Sequence, residues 1–114
     1  MGVSDQLRID VRHEPGRVVL ALAGELDMAS AELLQKAVED QDADDGELLL
    51  LDLQQLQFID STGLRAILAT LERCRERGRE FAITPGSQQV QRLLSITGVA
   101  EHLPTLPATG EMVA

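Results

Sequence analysis

Leu48-Leu49-Leu50-Leu51-Asp52-Leu53 is an almost unbroken apolar run of strand length. A run without polar alternation marks a strand covered on both faces at the centre of a sheet. Upstream, Leu7-Arg8-Ile9-Asp10-Val11 alternates apolar and charged residues with period two, as a strand covered on one face does. Glu14-Pro15-Gly16-Arg17 is a turn, and Val18-Val19-Leu20-Ala21-Leu22-Ala23 is a more deeply buried strand ended by Gly24. The connection between these two strands is too short for a parallel crossover, so they pair antiparallel.

Between Asp27 and about Asp40 the apolar positions Ala29, Leu33, Leu34, Ala37 and Val38 recur at helical spacing, with Asp27 as N-cap. Downstream of the central run, a polar loop leads to a second helix with the stripe Leu64, Ile67, Leu68 and Leu71, closed by Gly78. Glu80 to Thr84 reads as a further strand stopped by Pro85-Gly86. Ser87 caps a third helix carrying Val90, Leu93 and Leu94, and Gly98 ends it. Strands alternating with helices after an initial hairpin predict an α/β domain with a mixed, mostly parallel sheet of four or five strands and helices packed against it.

At 114 residues the chain fits one domain, residues 1–114, with a core spanning about 7–106 and a tail, 107–114, that carries no clear element. Hydrophobic residues make up 44%, but Phe58 and Phe81 are the only aromatics, so the core is built of Leu, Ile, Val and Ala. Cys74 is the single cysteine; no intramolecular disulfide is possible, and its place on the second helix stripe makes it a small, partly buried packing residue. No apolar run is long enough to cross a bilayer, the start lacks a signal-peptide pattern, and Gln6 stands where a myristoylation motif needs Ser or Thr. The expectation is a soluble cytoplasmic protein without direct membrane insertion.

A net charge of −9 opposes contact with phosphate backbones, which excludes a nucleic-acid partner. The cluster Arg73, Arg75, Arg77 and Arg79 is interleaved with Glu72, Glu76 and Glu80 and reads as a solvated helix face. Asp40, Asp42 and Asp44 alternate as in a calcium loop. Counting from Asp40, however, the sixth position is Asp45 where Gly is needed, and the twelfth is Leu51 where a bidentate Glu is needed. His13 and His102 sit in no metal-ligand spacing. No glycine-rich phosphate loop occurs. The reading assigns no metal, no cofactor and no catalytic residue.

What remains is Phe58-Ile59-Asp60-Ser61-Thr62-Gly63-Leu64. With Asp60 as N-cap, Ile59 falls at N′ and Leu64 at N4, a hydrophobic-staple pair. Ser61 is then the first helical residue, beside unpaired N–H groups and the positive end of the dipole. Gly63 in the first turn lowers helix propensity by up to about 1 kcal/mol against Ala, which points to a close approach at that position. Local chemistry alone gives no more than a polar helix start.

This segment, together with Gly24-Glu25-Leu26-Asp27, resembles the STAS domain, shared by anti-sigma factor antagonists and the cytoplasmic tails of sulfate transporters. The spacing of the two motifs, the buried strand between them and Val90 to Val99 match over roughly residues 7–106. The resemblance implies a phosphorylation site at Ser61. It also implies a partner-binding face containing Asp27, Asp60, Ser61, Thr62 and Gly63. The implied partners are an anti-sigma factor serine kinase and a phosphatase for phospho-Ser61. The protein would capture the kinase when Ser61 is free, release it when Ser61 is phosphorylated, and be its substrate rather than an enzyme. A STAS subunit of a membrane lipid or solute transporter, bound to that transporter's ATPase, is the alternative job for the same domain. A small flavodoxin-like enzyme would require a catalytic cluster that the sequence lacks. The family usually ends in a further amphipathic helix, which Pro107 to Ala114 does not write.

Overall fold

The computed structural model describes residues 6–44 and 46–106. Four strands, β1 (Leu7–Glu14), β2 (Arg17–Leu26), β3 (Leu48–Ile59) and β4 (Phe81–Ile83), form one sheet in the order β1-β2-β3-β4. β1 and β2 are an antiparallel hairpin turned at Pro15-Gly16; β2, β3 and β4 run parallel. The crossovers carry α1 (Ala31–Glu39) and α2 (Ser61–Glu76), and α3 (Gln88–Ile96) follows β4. This is the mixed α/β sheet that the sequence pattern implies. The expectation for residues 107–114 lies outside the described residues.

The central run behaves as its composition requires. Leu49, Leu51 and Leu53 are fully buried on one face of β3. There they join Val18, Leu20 and Leu22 of β2, Leu34 and Val38 of α1, Ile67 and Leu71 of α2, and Val90 and Leu94 of α3 in one core. Leu50 points the other way, into a second, smaller cluster with Val19 and Ala82, against which Leu48 and Leu106 pack. Each such leucine contributes on the order of 1.5–3 kcal/mol by leaving water. Both sides of the strand are therefore held.

Four boundaries differ from the sequence expectation. Gly24 does not end β2; it lies inside the strand at φ +107, where an added Cβ would stand 2.1 Å from the Gln6 carbonyl oxygen. Residues 54–57 are not a loop but the continuation of β3. From Asp52 to Ile59 that strand takes seven steps while its partner β2 takes five, from Ala21 to Leu26. The surplus is absorbed in register shifts, so the buried positions Leu53, Leu56 and Ile59 fall three apart, a spacing that hides a strand. α1 begins at Ala31 rather than after Asp27, with Ser30 as its N-cap at φ −115 and ψ −4. β4 is shorter than Glu80 to Thr84. It is extended instead by an isolated bridge between Ile83 and Thr105, beyond a 3-10 turn over Val99–His102 that the sequence did not announce.

Arg79 also differs: it is buried rather than solvated. Its Nε donates to the Glu47 carbonyl at 2.7 Å and its Nη1 to the Gln41 carbonyl at 3.0 Å, which ties the chain after α1 to the end of α2. Nearby, Arg73 forks onto both carboxylate oxygens of Asp42. That hydrogen bond, with the charges of Arg73 and Arg77, holds the Asp42 carboxyl below the usual range against a smaller opposing effect of burial. Cys74 is fully buried, further than a partly buried packing residue.

Candidate functional site

Because β2 and β3 are parallel neighbours, their C-terminal ends lie side by side, with Leu26 and Ile59 as register partners. The residues that follow them, Asp27 and Asp60, therefore emerge on the same rim of the sheet, the usual place for function in open α/β folds. The backbone is tied across this rim: Asp60 N–H donates to the Leu26 carbonyl at 3.2 Å.

Asp60 is the N-cap of α2, in extended conformation at φ −110 and ψ −174, and its Oδ1 accepts the Gly63 N–H at 2.8 Å. Its other oxygen, Oδ2, accepts the Met28 N–H at 3.3 Å. One carboxylate thus caps the helix and holds the loop that follows β2. Asp27 organises that loop from within: its Oδ1 accepts the N–H groups of Ala29 at 3.0 Å and Ser30 at 3.2 Å. The Ser30 hydroxyl, buried, accepts the Asp27 N–H at 3.0 Å and lies 2.8 Å from the Glu25 carbonyl. Asp27 does the chemistry of a cap, on a turn that precedes the helix.

Ser61 is the first residue of α2 and is exposed; Thr62 is half-buried and Gly63 buried. The close approach expected at Gly63 is backbone on backbone: an added Cβ would stand 2.2 Å from the Leu26 carbonyl oxygen and 3.0 Å from Ile59 Cγ1. Gly63 lets the first turn of α2 sit on the end of β2. That seating places Ser61, the exposed first residue of α2, at the rim. The structure brings Asp60, Ser61, Thr62 and Gly63 together on one helix start, and joins the Asp27 loop to it through Met28.

Besides Val11 on β1, three large apolar side chains are exposed on the described surface: Met28 and Ile96, each 75% exposed and neither singled out in the sequence, and Phe58, 49% exposed. Met28 adjoins Asp60. Phe58 and Ile96 face a shallow groove between the end of β3 and α3, lined also by Ile59, Leu93 and Arg92. Phe58 was legible as an aromatic inside the motif, but its exposure follows from the shifted register of β3, which the sequence conceals. No group of His, Cys, Asp and Glu among the described residues is arranged to hold a metal ion. None of their helices is long and apolar enough to cross a membrane.

The STAS domain family model matches residues 8–112, most of the chain. The chain belongs to the STAS family. It is 30% identical over 99 residues to the anti-sigma F factor antagonist of Paenibacillus polymyxa, covering 86% of this chain and 85% of that one. To the anti-sigma-B factor antagonist of Listeria monocytogenes it is 27% identical over 112 residues, covering 98% and 96%. Among solved structures, an anti-sigma factor antagonist from Mycobacterium paratuberculosis superposes with a TM-score of 0.81 at 27% identity, covering 92% of this STAS domain and 89% of the other chain. The rim that carries Asp27 and Ser61 is thus built on a fold shared with proteins named for antagonising anti-sigma factors.

Proposed function

We propose that this chain is an anti-sigma factor antagonist that binds a kinase-type anti-sigma factor while Ser61 is free and is released when that kinase phosphorylates Ser61. A phosphatase restores the binding form. The protein acts as a captured substrate and not as an enzyme; it takes no cofactor, and sigma is liberated without this chain touching DNA. The names of its relatives support the general role. The observation that carries the switch is the exposed Ser61 hydroxyl on the first turn of α2, next to the Asp60 carboxylate and seated through Gly63 against β2.

A phosphate on Ser61 adds about −1.5 to −2 charges and three acceptor oxygens. The first-turn N–H groups and the helix dipole favour it by roughly 0.3–1 kcal/mol, so the fold tolerates the modification. A partner packed closely over Asp27, Asp60, Thr62 and Gly63 does not, because a desolvated charge without a matched cation there costs several kcal/mol. Calorimetric titration of wild type, Ser61→Ala and Ser61→Asp against the kinase tests the reading. Ser61→Ala should bind whether or not ATP is present, and Ser61→Asp should bind about a hundredfold more weakly while melting near wild type. Three equal affinities would reduce Ser61 to an ordinary helix start.

A further inference from the structure

β1 is an edge of the sheet, with β2 on one side and, among the described residues, no strand on the other. It is eight residues long, and its pairing with β2 runs without a register shift from Leu7↔Gly24 to Glu14↔Arg17. The direction of its backbone groups follows from the hairpin. The Gln6 carbonyl accepts the Glu25 N–H at 2.7 Å, so even-numbered residues bond to β2. By strand alternation, the N–H and C=O groups of Leu7, Ile9 and Val11 point out of the sheet. Such an edge is a template for another strand unless something blunts it.

The side chains say which strand fits. Away from the helices, β1 presents Arg8, Asp10, Arg12 and Glu14, alternating in sign. On the helix side Val11 is 42% exposed, and Ile9 and Val11 border an apolar groove with Leu33 and Ala37 of α1. If a second β1 is laid antiparallel against the first with the twofold axis through Val11, the outward-pointing backbone positions from Ile9 to His13 meet one another. Val11 faces Val11, and Ile9 faces His13. On the charged side Arg8 then stands opposite Glu14, and Asp10 opposite Arg12, opposite signs at every step. Sliding by one step in either direction destroys this: a twofold axis through Asp10 sets Asp10 on Asp10 and Arg8 on Arg12, and one through Arg12 sets Arg12 on Arg12 and Asp10 on Glu14. Cross-strand pairs of opposite charge contribute and like pairs oppose, so the ladder selects the first register.

We infer that the β1 edge is a self-association surface, on which a second copy of this chain pairs antiparallel about Val11 to give one continuous sheet across a twofold dimer. The surface is remote in sequence from the Ser61 rim and does not depend on the switch proposed for it.

Sedimentation equilibrium across micromolar to millimolar protein, with residue-resolved hydrogen exchange, tests the inference. The expected result is a reversible dimer in which the amides of Ile9 and Val11 gain protection with concentration while those of Asp10 and Arg12 are protected throughout. Val11→Pro removes the outward N–H without touching a bond to β2, and should raise the dimer dissociation constant at least tenfold. Arg8→Glu and Asp10→Arg alter exposed side chains that the fold does not need, and each should weaken the dimer several-fold, more at low salt than at high. A monomer at every concentration would overturn the inference. So would a dimer indifferent to Val11→Pro, or one strengthened by Arg8→Glu or by Asp10→Arg, the latter two marking a shifted register.

Discussion

Replacing Gly63 by alanine sets two effects of opposite sign against each other. Alanine gains about 1 kcal/mol of helix propensity over glycine in a helix. Its Cβ, however, would stand 2.2 Å from the Leu26 carbonyl oxygen and 2.9 Å from the Leu26 carbonyl carbon, where carbon–oxygen contacts normally close to no less than about 3.3 Å. The obstacle is backbone in a buried strand, so α2 has to lift by roughly 1 Å. That strains the Asp60 N–H to Leu26 bond, already 3.2 Å long. Overpacking of this kind costs about 1–3 kcal/mol, and a weakened hydrogen bond adds about 0.5–1.5 kcal/mol. The balance is a loss of about 2 kcal/mol, within a span of roughly 0.5–3.5 kcal/mol, or a Tm lower by about 10 °C at the midpoint for a domain of this size. Urea and thermal denaturation of Gly63→Ala measure it, with Ser61→Ala, an exposed position, as reference. A Gly63→Ala protein that melts at or above wild type would refute the idea that contact with Leu26 fixes this residue.

Asp60→Ala removes both the acceptor for Gly63 and the one for Met28. It should lower stability by about 1–2 kcal/mol in denaturant titration and speed amide exchange at Met28. Arg79→Ala leaves the Gln41 and Glu47 carbonyls without their shared donor and opens a cavity, so a loss of about 2–4 kcal/mol is expected in the same assay. The Asp42 carboxyl has its pKa depressed by Arg73, so its contribution is present above the unfolded carboxylate value and fades as pH falls through the lower folded one. The pair is partly exposed, so Asp42→Asn should cost no more than about 1 kcal/mol at neutral pH. The difference from wild type should shrink as the solution is acidified below the ordinary carboxylate range.

The sequence was most transparent where one physical cause acts alone. Leu48 to Leu53 reads as a two-sided strand because nothing polar interrupts it before Asp52, and Asp60 reads as a cap because only that choice pairs Ile59 with Leu64. Gly63 announced a close approach, but not that its neighbour is the Leu26 carbonyl, since that contact joins a helix start to the end of a strand far away in sequence. Where two causes compete, the pattern misleads. In β3 the register shifts replace a period of two with a spacing of three, so Gln54 to Gln57 look like a loop. Arg79 looks like one more solvated arginine because its partners are carbonyl oxygens, which a sequence does not display. The helix start at Asp60 to Gly63 was legible from local capping rules, whereas its reading as a partner-binding site came from the resemblance alone. The link from Met28 to Asp60 depends on parallel pairing and became visible only in three dimensions.

The strand order β1-β2-β3-β4 repeats the order of the chain itself, so the sheet can grow by adding each new strand to a single advancing edge. Every residue of the Ser61 rim, from Glu25 to Leu64, precedes β4 in the chain. β4 is the shortest strand, three residues, and leans on the isolated bridge to Thr105. Local opening should begin at that later edge, with exchange of β4 and the Thr105 segment running ahead of β2 and β3. A molecule transiently frayed there still carries an assembled rim, so the half of the domain that holds the proposed switch is insulated from the half that loosens first.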